Sequence, residues 1–145
     1  MKALYLDTSC LLKAFFPEPE TPKTLELIAR EQRVVVSSLA RLEALSQIHA
    51  RVAGGTLPVA TARRLVQRID QILRGDPYEV VACPSGIIEA AEAQTRPMAK
   101  AAHCRTLDRL HLTVMQALGL RRLLTNDDMQ AQAARHLGFD VVLPR

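Results

Sequence analysis

The chain reads as an α/β protein built on a central, mainly parallel sheet of about four to five strands. Three observations predict this. Short apolar runs recur along the 145 residues, each too brief for a helix. Longer stretches between them carry apolar residues at helical spacing. Several runs stop at a hydroxyl or carboxylate residue, which is what a helix start after a strand needs.

The first run is Leu4-Tyr5-Leu6, closed by Asp7-Thr8-Ser9, so Ser9 or Thr8 is expected to cap a helix from Cys10. That helix ends at Pro17. Thr21-Pro22 opens another, with proline at the first helical position, running to about Glu31. Val34-Val35-Val36 is the second strand, and Ser37-Ser38 can cap the helix after it. Glu43 falls about one turn into that helix, which ends at Gly54-Gly55. A helix from about Pro58 to Gly75 carries Arg63, Arg64, Arg68 and Arg74. Gly75-Asp76-Pro77 is a turn into a third strand, Tyr78-Glu79-Val80-Val81-Ala82, which brings no acid to its end. A helix from Pro84-Ser85 to about Ala93 and a polar link follow. Thr106-Leu107-Asp108-Arg109 then opens a strong helix in which Leu107, Leu110, Val114 and Leu118 are expected to face the core. Leu123-Leu124-Thr125 is the fourth strand, Asn126-Asp127-Asp128 leads into a short helix, and Asp140-Val141-Val142-Leu143 is the last strand.

Composition excludes several classes. The length suits one domain over residues 1–145 with a sizeable core. Cys10, Cys83 and Cys104 are unpaired by any spacing pattern, which points to reduced thiols and a cytoplasmic setting. No run reads as a signal peptide or reaches the length of a membrane span. His49, His103, His111 and His136 show no zinc-ligand spacing. The net charge of +4, with 19 Lys and Arg against 15 Asp and Glu, suits an anionic partner. With five Phe and Tyr and no Trp, a base-stacking platform is poorly supplied.

Four acids stand out by position. Asp7, Glu43, Asp108 and Asp127 each map to a strand-to-helix junction or the first turns of a helix. A parallel sheet puts those junctions on one edge, where ligands bind in open α/β folds. Asp128 competes with Asp127 for the fourth place. Gathered without basic partners, four carboxylates repel one another unless something neutralises them. Mg²⁺ or Mn²⁺ does so, and such ions activate water toward phosphodiesters.

Leu6-Asp7-Thr8-Ser9, Ser38-Leu39-Ala40-Arg41-Leu42-Glu43, Leu107-Asp108-Arg109-Leu110-His111-Leu112 and Leu124-Thr125-Asn126-Asp127 resemble the four signature segments of PIN-domain ribonucleases, in their VapC toxin branch. The resemblance implies a PIN-like α/β/α sandwich and a Mg²⁺- or Mn²⁺-dependent endoribonuclease. It also implies a homodimer and a cognate antitoxin as protein partner. Carried over residue by residue, it makes Asp7 and Asp108 the principal metal ligands. Glu43 holds the metal or its water, Asp127 completes the set, and Ser9 and Thr125 orient carboxylates. Arg41, Arg105 and Arg109 become candidates for a rim that meets RNA. His111 falls on the apolar side of its helix and is expected to pack rather than react.

Other acidic α/β sites fit less well. A haloacid-dehalogenase phosphatase wants a second Asp two residues after the first, where Ser9 stands. A receiver domain wants paired acids and a late Lys, and a phosphate-binding Walker loop is missing. The alternative from another class is a non-cleaving PIN-like protein that binds or helps process RNA.

Overall fold

The computed structural model describes residues 2–145, and Met1 lies outside them. Five strands form one sheet: β1 (Leu4–Leu6), β2 (Val34–Ser37), β3 (Tyr78–Val81), β4 (Arg122–Leu124) and β5 (Asp140–Val142). Their order is β3-β2-β1-β4-β5, and every pairing is parallel. Leu4 faces Val34 on one side and Arg122 on the other, which fixes the register of the central strand. The sheet is therefore at the upper end of the expected strand count and is parallel throughout.

Among the described residues seven helices connect the strands: α1 (Thr8–Lys13), α2 (Thr21–Ala29), α3 (Ser38–Ala53), α4 (Val59–Leu73), α5 (Ile87–Thr95), α6 (Thr106–Leu118) and α7 (Asp128–His136). A short 3-10 turn at Lys100–Ala102 precedes α6. The alternation of side chains along β1 divides the core. Leu4 and Leu6 pack with Leu11, Ile28, Ala44, Ile48 and Ile69 from α1 to α4. Tyr5 points the other way, packing with Leu112, Met115, Ala133 and Ala134 of α6 and α7. The result is an α/β/α sandwich whose central strands β1 and β2 are buried on both faces, as interior parallel strands are, while the edge strands β3 and β5 are partly exposed.

The chain winds outward from β1 to β2 to β3, then returns across the sheet to β4 and continues to β5. The connections leaving β1 and β4 diverge to opposite faces. Between adjacent strands that part in this way a crevice opens at their carboxyl ends. Asp7 directly follows β1, and Thr125, Asn126 and Asp127 follow β4.

Several boundaries differ from the sequence-based expectation. Helix α1 begins at Thr8, and its cap is Asp7 itself, whose side chain accepts from the Cys10 amide. An ionised carboxylate is the stronger acceptor for an unpaired helix N–H, which displaces Thr8 and Ser9 from that role. Ser37 caps α3 as expected, by accepting from the Ala40 amide. The expected core face of α6 holds in its middle and not at its ends: Val114 is buried and Leu110 half-buried, but Leu107 and Leu118 are exposed, at 46% and 39%. The buried face is wider than expected and includes His111, Leu112 and Met115. Asp108, His111, Leu112 and Met115 lie at i, i+3, i+4 and i+7 and share one face, so Asp108 stands at the start of a buried face.

Candidate active site

Asp7 is the most firmly held of the four acids. It is 4% exposed and sits at the floor of the crevice. Ser9 Oγ donates to Oδ1 at 2.8 Å and is 3.0 Å from Oδ2. The Cys10 amide donates to Oδ1 at 2.9 Å, and Thr125 Oγ1 donates to Oδ2 at 2.7 Å. Thr125 also receives the Asp127 amide at 3.1 Å, so one hydroxyl ties the end of β1 to the turn after β4. Gln130 Oε1 is 2.8 Å from the same hydroxyl, while the buried Gln130 Nε2 has no partner among the described residues. Thr125 has one proton, and the carboxylate is the stronger acceptor. Turning the Gln130 amide so that its NH₂ donates to Thr125 Oγ1 leaves the single Thr125 proton to Asp7.

Glu43 enters from α3. Its Oε1 accepts from Thr8 Oγ1 at 2.9 Å and lies 2.5 Å from His111 Nε2. His111 Nδ1 in turn stands 2.7 Å from the Tyr5 hydroxyl, which is 2.9 Å from Ser37 Oγ. Burial pushes the Glu43 carboxyl up, but bonds from His111 and Thr8 hold it below the usual carboxylate range. His111 is packed, as expected, and it is also the main brace of Glu43. That role was not read from the sequence, although the Asp108-to-His111 spacing placed both on one helical face.

Asp108 and Asp127 meet through Arg105. The guanidinium donates from Nε to Asp108 Oδ2 at 2.9 Å and from an Nη to Asp127 Oδ2 at 2.9 Å. Burial raises the Asp108 carboxyl above its ordinary range; Arg105 opposes that shift, while the charges of Asp127 and Asp7 add to it. Arg105 also feels the charge of Glu43. Asp7 and Asp127 are thus joined through Thr125, Asp127 and Asp108 through Arg105, and Glu43 is held by Thr8, next to Asp7, and by His111 on the helix that carries Asp108. The expectation that they gather without basic partners is corrected by Arg105 and His111. As arranged, no three Asp, Glu, His or Cys groups among the described residues are set to hold one ion together. The donors on offer for a metal are nevertheless all carboxylate oxygens, the set a hard divalent cation takes, and a cationic guanidinium already stands against two of them.

The other candidates separate cleanly. Asp128 points outward, with its side chain 80% exposed and paired to Arg145, so Asp127 is the acid that faces the site. Arg109 does not belong to an exposed rim. It is 7% exposed, and its guanidinium donates to Gln94 Oε1 and to the Ala102 carbonyl. It braces α6 against α5 and the 3-10 turn, a load its position on the inner side of α6 imposes. Arg41 is partly exposed and paired with Asp70 at 2.5 Å. Arg63, Arg64, Arg68 and Arg74 are exposed along α4. An apolar cavity of about 600 Å³ lies between α5, α6 and α7 and includes none of the four acids.

Comparison with known proteins agrees with this architecture. The PIN-domain family matches residues 4–136. Ribonuclease VapC46 of Mycobacterium tuberculosis is 32% identical over 146 residues, covering 99% of each chain. Among solved structures, FitAcB of Neisseria gonorrhoeae superposes with a TM-score of 0.74 at 18% identity, over 97% of both chains. VapBC2 of Rickettsia felis, bound to a DNA fragment from its promoter, gives 0.70 at 14% identity over 97% of this chain and 98% of the other. The Mycobacterium tuberculosis toxin VapC20, described as cleaving the sarcin-ricin loop, gives 0.68 at 16% identity over 94% and 95%. By the family match and by its identity to a full-length relative, this chain belongs to the PIN-domain family, in its VapC branch.

Proposed function

We propose that the chain is a divalent-metal-dependent endoribonuclease and the toxin component of a toxin–antitoxin module. What supports this reading is the linkage of the acids beside the crevice where β1 and β4 part: Thr125 joins Asp7 to the turn that carries Asp127, Arg105 joins Asp127 to Asp108, and Thr8 and His111 hold Glu43. The likeness to a ribonuclease over the whole chain supports it. The partners that follow are an RNA substrate, an antitoxin of the kind named with VapC relatives, and a second copy of the chain. The reading places the protein in the cytoplasm as one domain of residues 1–145; among the described residues no helix is long and apolar enough to cross a membrane.

Asp7 and Asp108 would be the principal ligands of Mg²⁺ or Mn²⁺, with Glu43 and Asp127 completing the set. When bound, the ion supplies Lewis acidity to the phosphodiester and makes a nearby water more acidic. The chain's own residues do the rest. Ser9, Thr125 and the Cys10 amide fix Asp7 so that its carboxylate cannot turn away from the crevice. Thr8 and His111 both engage Glu43 Oε1, which leaves Oε2 without a protein partner among the described residues and available to take a proton from water. Among the described residues no Ser or Cys side chain is hydrogen-bonded to a histidine to serve a covalent route, and burial raises the Cys10 and Cys104 thiols. Arg105 is the exposed cation nearest the acids and the first to meet a phosphate.

The test is hydrolysis of single-stranded RNA by the purified protein with Mn²⁺, its suppression by EDTA, and the chemistry of the new ends. Direct attack by water leaves a linear phosphate that carries ¹⁸O from labelled solvent. A cyclic 2′,3′-phosphate would contradict the reading, because it records attack by the RNA's own hydroxyl. Binding without cleavage under every metal would support a non-cleaving role instead.

A further inference from the structure

Arg105 is the cap residue of α6, and its side chain is 73% exposed. An arginine so exposed has many rotamers open to it, and fixing one costs conformational entropy. Here the side chain turns back along its own helix to Asp108 and across to Asp127, 22 residues on, with one N–H to each carboxylate. Among the described residues neither Asp108 nor Asp127 has another cationic partner within salt-bridge distance.

From this geometry we infer that Arg105 is a tethered cation that competes with the divalent ion for Asp108 and Asp127, and that the ion loads only as the guanidinium leaves. The inference rests on the metal-dependent reading above. The oxygens that Arg105 engages, Oδ2 of Asp108 and Oδ2 of Asp127, are among those a metal would need. A guanidinium and a divalent ion cannot share the same lone pairs at bonding distance, and their like charges repel. The consequence is a built-in weakening of metal affinity at fixed acid geometry. Once displaced, the guanidinium remains tethered at the start of α6, beside the loaded site and free to take a phosphate oxygen of the substrate. Arg105 is on this account a residue that sets metal affinity and then positions substrate.

Mn²⁺ binding measured by calorimetry at constant ionic strength tests this without reference to catalysis. The proteins compared are wild type, Arg105→Ala, and Arg135→Ala as a control that removes an exposed charge from α7. The expected result is Mn²⁺ affinity at least about fivefold tighter in Arg105→Ala, at the lower end of common coupling between competing events. Arg135→Ala should match wild type at a salt concentration that screens distant charges. In parallel, the Arg105 Nε–H resonance should move on Mg²⁺ titration as its bond to Asp108 is lost. Equal or weaker Mn²⁺ binding in Arg105→Ala, a gain of the same size in Arg135→Ala, or an unmoved Nε–H resonance at saturating Mg²⁺ would each overturn the inference while leaving a metal-dependent nuclease intact. Absence of Mn²⁺ binding in all three proteins would overturn both. Arg105 carries no packing load, and thermal melts of the three proteins in EDTA establish that they remain folded.

Discussion

Nε2 of His111 stands 2.5 Å from Oε1 of Glu43, although the two residues are 68 positions apart in sequence. The contact closes a chain of side chains that runs from Ser37 through Tyr5 to His111 and ends on Glu43 and Thr8. Ser37 also caps α3, the helix that carries Glu43, so one network sets both the helix start and its functional acid. Replacing His111 by Ala leaves the Tyr5 hydroxyl with one partner fewer and opens space beside Glu43. The variant should lose roughly 1–3 kcal/mol of stability, the range for a buried polar group deprived of its partner. Cleavage should fall as well, and Tyr5→Phe should show a smaller loss of both. Denaturant unfolding and cleavage rates on the same samples check this; a His111→Ala protein as stable as wild type would remove the network's claimed importance.

Asp127 and Asp128 are adjacent but differ in direction, one toward Arg105 and one toward Arg145. Asp127→Asn should reduce cleavage by on the order of 100-fold or more, at or beyond the usual effect of disturbing a metal's surroundings. Asp128→Asn should stay near wild type. Because Asn can still cap α7, Asp127→Asn should fold normally. Its melting temperature in EDTA should also change little, since Arg105 already offsets the repulsion that the substitution removes. Loss of activity in Asp128→Asn with retention in Asp127→Asn would reverse the assignment.

The charge balance favours an anionic partner. Without the four carboxylates the formal charge would be about +8. Arg105 stands against two of the acids, Arg41 is partly exposed and paired with Asp70, and Arg63, Arg64 and Arg68 are exposed along α4. RNA affinity of a cleavage-deficient variant should therefore fall steeply as salt rises, since each phosphate contact releases counterions. Arg64→Ala combined with Arg68→Ala should flatten that slope by about two contacts. A salt-independent affinity would exclude phosphate-led binding.

Away from the site, Glu31 and Arg122 form a two-pronged pair, with Nη–O distances of 2.9 and 2.6 Å, that ties the end of α2 to the start of β4. The hydrogen bond from Arg122 holds the Glu31 carboxyl below its ordinary value of 4.5. A depressed folded value stabilises the protein above the unfolded value, and that contribution is lost as pH falls through the folded one. Glu31→Gln should cost about 1 kcal/mol at neutral pH. The gap between variant and wild type should narrow steadily below about pH 4.5 and close in stronger acid. A gap of constant size from pH 7 to pH 3 would mean that the pair contributes nothing through its charge.

Much of this structure was legible in the sequence, for reasons that particular residues make plain. The run Leu4-Tyr5-Leu6 is apolar on both sides because its strand is covered on both faces. Asp7 directly follows β1 and Asp127 lies three residues beyond the end of β4, so their placement on one edge needs only the parallel sheet. What escaped is whatever depends on side-chain competition between distant segments. The buried face of α6 is one example: Leu107, Leu110, Val114 and Leu118 offered a regular apolar stripe, but only its middle is covered, and His111 and Met115 are buried beside Val114. The bridge made by Arg105 is another, since its Asp127 partner lies 22 residues away and no local pattern joins them. The inward turn of Arg109 follows from Gln94 and the Ala102 carbonyl, neither of which a motif would name.

The most direct measurement is anomalous diffraction from crystals equilibrated with Mn²⁺. The expected result is a peak in the crevice after β1 and β4, with oxygens of Asp7 and Asp108 in its coordination sphere and Glu43 and Asp127 bonded directly or through water. Arg105 should have withdrawn from both aspartates. No peak at saturating Mn²⁺, or a peak elsewhere with Arg105 still joined to Asp108 and Asp127, would contradict the claim that these four acids form a metal site.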